Sequence, residues 1–213
     1  MNSIDEQHSK NTDLEISRHG KRADPAFLDS ITLDNQHLQN CKVVSKRLEI
    51  IKLFPKDLIC AEIGVMEGGF SEEILQVNNP SEFYLIESNT KGENLCDDLR
   101  IKFSENENVI VKEGYSWDVL RTFDDNYFDW VFIDADHTYV STKLELEISK
   151  DKVKDNGYIA CHDYSNKNKN ESLTDYGVIQ SVNEFCLQYD YEVVYLSLEP
   201  DQNHTIVLKK MKE

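Results

Sequence analysis

Two short acidic segments that contain histidine have the composition of a reactive site. Asp134-Ala135-Asp136-His137 directly follows one apolar run, and His162-Asp163 follows another. Carboxylate oxygens and imidazole nitrogens are ligands for Mg²⁺, Mn²⁺ or a similar divalent ion. We therefore predict a metal site at Asp134, His162 and Asp163. His137 is the candidate general base, because imidazole titrates near neutral pH.

A turn rich in glycine and acid lies earlier in the chain, at Glu62-Ile63-Gly64-Val65-Met66-Glu67-Gly68-Gly69-Phe70-Ser71. A dinucleotide fingerprint needs a glycine at the position of Met66, whose side chain would block a pyrophosphate. Glu67, Glu72 and Glu73 crowd the start of the following helix, where a phosphate needs amides and little negative charge. The turn thus disfavours a phosphate-bearing cofactor. The turn tolerates a cofactor that has an amino acid end and a positively charged sulfonium.

Two further positions could hold a nucleoside. Glu87 ends the second predicted strand, where a carboxylate can accept both hydroxyls of a ribose. Gly114-Tyr115-Ser116 follows the third strand and could present backbone and hydroxyl groups to an adenine edge. The alternatives are a solvated acid at Glu87 and a helix cap at Ser116.

Alternating strands and helices must position these groups. A helical repeat over 38–51 comes first, and β-α units follow it. The last two strands have no helix between them and are expected to be antiparallel neighbours. Strands that are apolar on both faces predict a parallel sheet covered by helices on both sides. The predicted strands are 58–63, 83–86, 109–111, 128–133, 158–161, 191–196 and 205–208; the predicted helices after the first are 71–77, 91–103, 116–120, 140–148 and 178–186.

Composition excludes several classes of partner. The 213 residues contain 23 Lys+Arg and 40 Asp+Glu, a formal net charge of −17. Nucleic acids and anionic membranes bind clustered cations, so we expect neither as a partner. No apolar stretch is long enough to span a bilayer. A polar start without a signal sequence and five scattered cysteines without a C-x-x-C pair favour reduced thiols and a cytoplasmic location.

These residues carry a resemblance. The region 58–208 resembles the class I S-adenosylmethionine-dependent methyltransferases, and the glycine turn matches their first motif in the form used by small bacterial O-methyltransferases. The resemblance implies an α/β, three-layer Rossmann-like fold with a mostly parallel seven-stranded sheet and an antiparallel C-terminal strand. It implies S-adenosyl-L-methionine as cofactor, with Glu62 and Gly64 at the methionine end, Glu87 at the ribose and Ser116 near the adenine. The predicted cofactor-binding set is Glu62, Gly64, Val65, Gly68, Ser71, Glu87, Ser116 and Asp134.

The acidic segments sharpen the resemblance. Asp134-x-x-His137 followed by His162-Asp163-Tyr164 is similar to the metal-assisted O-methyltransferases that act on catechols, antibiotic precursors and macrolide sugars. In those relatives the residue at Asp134 binds Mg²⁺ and the one at His137 is the base. His162 departs from the pattern, because an acid is usual there; the alternative for His162 is an ion pair with Asp136 or Glu67. The implied acceptor is a hydroxyl of a small metabolite, with a sugar or sugar-bearing precursor ahead of an aromatic diol.

Other hypotheses stay open on the sequence. Asp134-x-Asp136 also resembles the paired acids of haloacid dehalogenase phosphatases and of glycosyltransferases that hold Mn²⁺ on a nucleotide-sugar diphosphate. A binding protein that kept the fold but lost turnover is a further alternative. Residues 1–33 are expected to form a polar tail or arm and 34–213 a single cofactor-binding domain. The sequence identifies neither the acceptor nor the oligomeric state, a homo-oligomer included.

Overall fold

The apolar strands form one mixed sheet, and the amphipathic helices that alternate with them cover both of its faces. The computed structural model describes residues 31–89, 94–165, 176–200 and 203–212. The predicted tail therefore lies, up to residue 30, outside the described residues. Two of its last three residues contact the domain: Leu33 packs on the core, and the Ile31 carbonyl accepts a 2.8 Å hydrogen bond from Asn183.

Within the described residues the sheet has eight strands in the order β1-β7-β8-β6-β5-β2-β3-β4. Pairing is parallel except for β8, which runs antiparallel to both β6 and β7. The mostly parallel sheet with an antiparallel C-terminal strand is thus confirmed. The strands are β1 Lys42–Val44, β2 Ile59–Ile63, β3 Glu82–Glu87, β4 Val109–Glu113, β5 Phe128–Ile133, β6 Val153–Cys161, β7 Tyr191–Ser197 and β8 Ile206–Lys210.

The sheet has one strand more than the seven that were predicted. The prediction of a long helical repeat over 38–51 was also wrong. A 3₁₀ helix at Asn35–Leu38 is followed by β1 and then by α1, Arg47–Leu53. β1 pairs in parallel with β7 at the sheet edge. The β-branched Val43 and Val44 suit this extended pairing, and the tertiary contact overrides a helical spacing of apolar residues.

The helices divide into two layers. The other helices are α2 Gly69–Val77, α3 Leu95–Lys102, α4 Ser116–Leu120, α5 Tyr139–Lys152 and α6 Val178–Tyr189. Alternate strand residues face opposite layers: Cys60 packs with residues of α1, α2 and α3, whereas Ala61 packs with residues of α4, α5 and α6. This arrangement confirms the three-layer α/β fold. All five cysteines are free, four of them buried, and no described helix is long and apolar enough to cross a bilayer.

Strand order reverses between β2 and β5. From β2 the sheet continues to β3 and β4 on one side, and to β5 and β6 on the other. In open α/β sheets, ligands bind beyond the carboxyl ends of the strands at such a switch point. The glycine turn after β2 and both acidic segments, after β5 and β6, lie at this edge.

Gly157 shows how closely β6 approaches β5. A Cβ added at Gly157 would lie 2.5 Å from the Asp129 carbonyl oxygen and 2.5 Å from Cγ1 of Val153. The β5–β6 register shifts between Phe128 and Trp130, next to this contact. Neither the backbone oxygen nor the buried valine can move aside freely.

We predict that Gly157→Ala lowers the free energy of unfolding by about 1–3 kcal/mol, the usual cost of overpacking. Chemical denaturation measures the change. Gly69→Ala is the control, because a Cβ there meets nothing within 4 Å and alanine favours a helix. Equal stability of the Gly157→Ala protein and the wild type would contradict the close approach of these strands.

Candidate functional site

The turn after β2 is fixed by glycine. Gly64 and Gly68 have φ angles of +81° and +72°, in the left-handed region that glycine occupies without strain. A Cβ at Gly64 would lie 2.3 Å from the Asp134 carbonyl oxygen. The turn therefore packs directly on the backbone that follows β5, and this close packing brings the glycine turn and the first acidic segment together.

Glu87 organises the same turn from the end of β3. One carboxylate oxygen, Oε2, accepts the backbone N–H groups of Val65 at 2.7 Å and Met66 at 2.8 Å. The other, Oε1, accepts the N–H of Ser88 at 2.7 Å. Each carboxylate oxygen can accept two hydrogen bonds, so Oε1 has capacity left for one further donor, such as a hydroxyl. The predicted contact of Glu87 with a ribose stays a prediction.

Glu62 and Ser71 form a buried pair beneath the turn. Glu62 is 2% exposed, and the Ser71 hydroxyl donates to its Oε2 at 2.5 Å. Burial raises the pKa of Glu62 to about 8, although the Ser71 hydrogen bond opposes the shift and the Asp134 charge adds to it. Glu62 thus holds a proton at neutral pH. The cofactor contacts predicted for Glu62, Ser71, Gly64, Val65 and Gly68 stay predictions.

Ser116 lies in the interior, at the start of α4. Its hydroxyl donates a short hydrogen bond to Glu145 of α5, which is 1% exposed. Burial raises the pKa of Glu145 to about 8, opposed by that hydrogen bond and aided by the Asp136 charge. Sequence reasoning missed Glu145. Since the Ser116 side chain is engaged with Glu145, the predicted adenine contact at this position would have to use its backbone.

The residues of the predicted metal site converge. Ligand atoms of Asp134, His162 and Asp163 all lie within 4.8 Å of one another. Nδ1 of His162 is 3.3 Å from Oδ1 of Asp134 and 3.5 Å from Oδ2 of Asp163, at ion-pair distance but without hydrogen-bonding angles. Burial opposes a charge on His162, but the two carboxylates outweigh burial and raise the pKa of His162 to about 9. The partners of His162 are thus Asp134 and Asp163 rather than Asp136 or Glu67.

His137 borders the same cluster. Its Nε2 is 3.2 Å from Oδ2 of Asp163, and its Nδ1 is 4.0 Å from Oδ1 of Asp134. The backbone is held in the left-handed region with φ +62°, and the His137 carbonyl accepts the N–H of Gly177 at 2.9 Å. The Tyr176 ring meets the imidazole edge-on at 5.2 Å. These contacts hold the imidazole beside both carboxylates.

Asp136 does not join the cluster of Asp134, His162 and Asp163 but binds the start of α5. Its Oδ1 accepts hydrogen bonds from the backbone and hydroxyl of Thr138 at 2.9 and 3.0 Å, and its Oδ2 accepts one from Ser141 at 2.8 Å. Thr138 is the N-cap of α5 and Ser141 lies in its first turn. Asp136 therefore orders the start of a helix, which disfavours the hypotheses built on an Asp134-x-Asp136 pair.

Arg47 is a site residue that sequence reasoning missed. It begins α1, and its Nη1 lies 3.2 Å from Oδ2 of Asp134. Its guanidinium carbon stands 4.0 Å from the centre of the Phe70 ring. No periodicity or motif in the sequence marks Arg47, because its place depends on how α1 packs against α2.

Comparison with known proteins agrees with this geometry. A family model described as a methyltransferase domain matches residues 61–164, a segment that contains the glycine turn and both acidic segments. No curated protein matches the sequence.

Solved structures match the fold. A Bacillus subtilis tRNA methyltransferase, TrmK, has a TM-score of 0.58 at 16% identity, over 79% of this chain and 67% of that one. The pyocyanin biosynthetic protein PhzM has a TM-score of 0.59 at 14% identity, over 77% of this chain but only 54% of its own length. Aeropyrum pernix fibrillarin with natively bound S-adenosyl-L-methionine has a TM-score of 0.55 at 12% identity, over 72% and 67%. Residues 61–164 form a methyltransferase domain, and the fold is that of the S-adenosylmethionine-dependent methyltransferases.

The expected S-adenosylmethionine-dependent methyltransferase domain and its fold are thereby confirmed. Identities of 12–16% carry the fold alone, so the acceptors of these structures do not transfer to this methyltransferase.

The buried Glu145 makes stability depend on pH. Its pKa is raised to about 8 in the folded protein, against 4.5 for an ordinary glutamate. Between these values the unfolded chain releases the proton that the folded protein keeps, so stability falls as pH rises. We expect Glu145→Gln, whose amide oxygen can still accept from Ser116, to lose less free energy of unfolding than the wild type between about pH 5.5 and about pH 8, by on the order of 3 kcal/mol.

Urea denaturation across this pH range checks the expectation. Glu147→Gln, on the same helix but half-buried, is the matched control and should follow the wild-type curve. Parallel curves for Glu145→Gln and the wild type would show that Glu145 does not hold its proton.

Proposed function

We propose that this methyltransferase methylates a hydroxyl of a small metabolite, with a sugar or sugar-bearing precursor favoured over an aromatic diol. The observation that carries the proposal is the convergence of Asp134, His162 and Asp163 within 4.8 Å, with His137 at 3.2 Å from Asp163. Methylating a hydroxyl needs an aligned oxygen and a place for its proton. A base and a cation site beside the cofactor turn meet both needs. The preference for a sugar comes from the family resemblance.

His137 is proposed as the general base. A carboxylate accepts hydrogen bonds and donates none, so the nitrogen that faces Asp163, Nε2, is the one that carries a proton. Nδ1 is then the acceptor, and it lies on the side of Asp134. Asp163 fixes the tautomer and stabilises the imidazolium that forms when His137 takes the proton.

A divalent ion, Mg²⁺ or Mn²⁺, is proposed at Asp134, His162 and Asp163. The donor set fits, because two carboxylates and an imidazole suit such ions, with Mn²⁺ the better match for nitrogen. A bound ion would lower the pKa of the acceptor hydroxyl and fix its direction. His162 in its charged form also brings positive charge between the carboxylates. A base-only reaction is therefore the alternative that the experiments below must separate.

A small-molecule acceptor is proposed over a nucleic acid, although TrmK is a tRNA methyltransferase. The formal charge of −17 supports this choice, because binding a phosphate backbone depends on clustered Lys and Arg. The same charge supports the absence of a membrane partner. We also propose a cytoplasmic location, which the five scattered cysteines without a C-x-x-C pair favour. A homo-oligomer is a further part of the proposal. A fold that binds the cofactor without turnover would give no methylated product across a broad panel of hydroxyl compounds.

Removing the base tests the mechanism. We expect His137→Asn to lower kcat by about 10²–10⁴-fold, the usual contribution of a general base. Asparagine is chosen because it tolerates a positive φ better than alanine does. Methyl transfer from labelled S-adenosylmethionine to sugars, sugar-bearing precursors and aromatic diols gives kcat, and calorimetry should show cofactor affinity within about twofold of the wild type. Unchanged kcat would remove His137 from the mechanism.

Metal dependence is tested by chelation. EDTA treatment should abolish most of the activity, and Mg²⁺ or Mn²⁺ should restore it, because the metal would polarise the acceptor hydroxyl. Asp163→Asn should lose the restoration. Asp136→Asn is the matched control, since Asp136 is bound to Thr138 and Ser141 and should keep the metal response. Activity that is indifferent to chelation would favour the base-only reaction.

A further inference from the structure

Arg47 extends over the carboxyl edge of the sheet from the first turn of α1. Its Nη1 reaches Oδ2 of Asp134 at 3.2 Å, and its guanidinium stacks on the Phe70 ring at 4.0 Å. Phe70 lies at the end of the glycine turn, in the first turn of α2, and the Asp134 backbone touches the same turn at Gly64. The positive charge of Arg47 thus lies next to the turn that is predicted to bind the cofactor.

The backbone of Arg47 is held by a residue that follows β7. Its backbone N–H donates a very short hydrogen bond to the Glu199 carboxylate, which follows β7. An open cavity of about 360 Å³ is lined by Arg47, His162, Glu199 and Pro200. The Arg47 side chain remains 30% exposed. The guanidinium is therefore held in place and still accessible to a ligand.

The charged groups at the methionine end of the cofactor indicate what this guanidinium could bind. The methionine end of S-adenosylmethionine carries an ammonium and a carboxylate beside the positive sulfonium. The site acids suit the ammonium and the sulfonium, but they repel the carboxylate. A guanidinium has five N–H donors in a fork that matches a carboxylate. In this structure one of its nitrogens contacts Asp134, so donors remain for a second anion.

We propose that Arg47 binds the carboxylate of the methionine moiety of S-adenosylmethionine while Asp134 receives its ammonium. In the ion pair between Arg47 and Asp134, the guanidinium takes the place of the cofactor ammonium and the carboxylate takes the place of the cofactor carboxylate. The proposal rests on the cofactor assignment and not on the metal, the base or the acceptor.

Lys102 gives the comparison within the same chain. It also lies near the glycine turn, but its Nζ donates to the Glu67 carbonyl at 2.7 Å and pairs with Glu72 at 3.0 Å. Its side chain is 30% exposed, like that of Arg47. Removing Lys102 takes away one positive charge near the turn without touching Asp134 or Phe70.

Calorimetry with two ligands tests the proposal. S-adenosylmethionine and its decarboxylated counterpart differ only in the carboxylate. We expect Arg47→Met to weaken binding of S-adenosylmethionine by about 10–100-fold, the range for a charge-assisted pair. It should not weaken binding of the decarboxylated ligand, because that ligand has no carboxylate for Arg47 and Asp134 is freed for its ammonium. Arg47→Lys should lose less affinity for S-adenosylmethionine than Arg47→Met does, because lysine keeps the positive charge but lacks the forked donors of a guanidinium. Lys102→Met should affect the two ligands equally.

Several results would overturn the proposal. Equal weakening of both ligands by Arg47→Met would make its role structural, and unchanged affinity for both would show that Arg47 does not bind the cofactor. A selective loss in Lys102→Met as large as in Arg47→Met would show a general effect of charge. A rise only in the KM of the acceptor would move Arg47 to the acceptor site.

Controls separate these failures from others. If wild-type protein bound neither ligand, the cofactor assignment itself would fall, and the proposal with it. Thermal unfolding monitors the fold of each variant. Should Arg47→Met not fold, the comparison of Arg47→Lys with the wild type on the two ligands decides between a selective and a common loss.

Discussion

Electrostatic repulsion at the carboxyl edge of the sheet is the constraint on which the rest of this structure depends. Four neighbouring strands end in or beside an acid: Glu62, Glu87, Asp134 and Asp163. Each acid is stabilised in its own way. Glu62 keeps its proton, Glu87 accepts three backbone amides, Asp134 pairs with Arg47, and Asp163 lies beside two histidines. The result is an edge of the sheet that suits a positively charged sulfonium and repels a pyrophosphate.

Much of this edge could be predicted from the sequence, because the topology follows from local patterns. Apolar strands that alternate with amphipathic helices imply a parallel sheet, and parallel neighbours end at the same edge. Asp134 and Asp163 therefore had to converge once β5 and β6 were neighbours, as the pairing of Ile133 with Cys161 shows. Gly64 and Gly68 could be assigned to a tight turn after β2, because glycine adopts the positive φ angles of such a turn without strain.

The rest depends on tertiary contacts that no local pattern carries. The apolar spacing over 38–51 is helical, yet β1 forms there because β7 offers an edge for pairing. Ser116 follows a strand as an adenine-binding residue would, but Glu145 on a distant helix engages its hydroxyl. Arg47 gains its role from Asp134, 87 residues later, and from Glu199, 152 residues later. Contacts at such separations are visible only in the folded chain.

The antiparallel strand β8 has a consequence for how the protein is made. β8 lies between β6 and β7, and β1 reaches the sheet only through β7. β1 therefore cannot join the central strands until residues 206–210 have left the ribosome, whereas α1 packs directly on α2 and on the cluster around Cys60. During synthesis the glycine turn, the acidic segments and Arg47 can thus assemble first. The contact of the Arg47 backbone with Glu199 forms later, when the segment after β7 has been made.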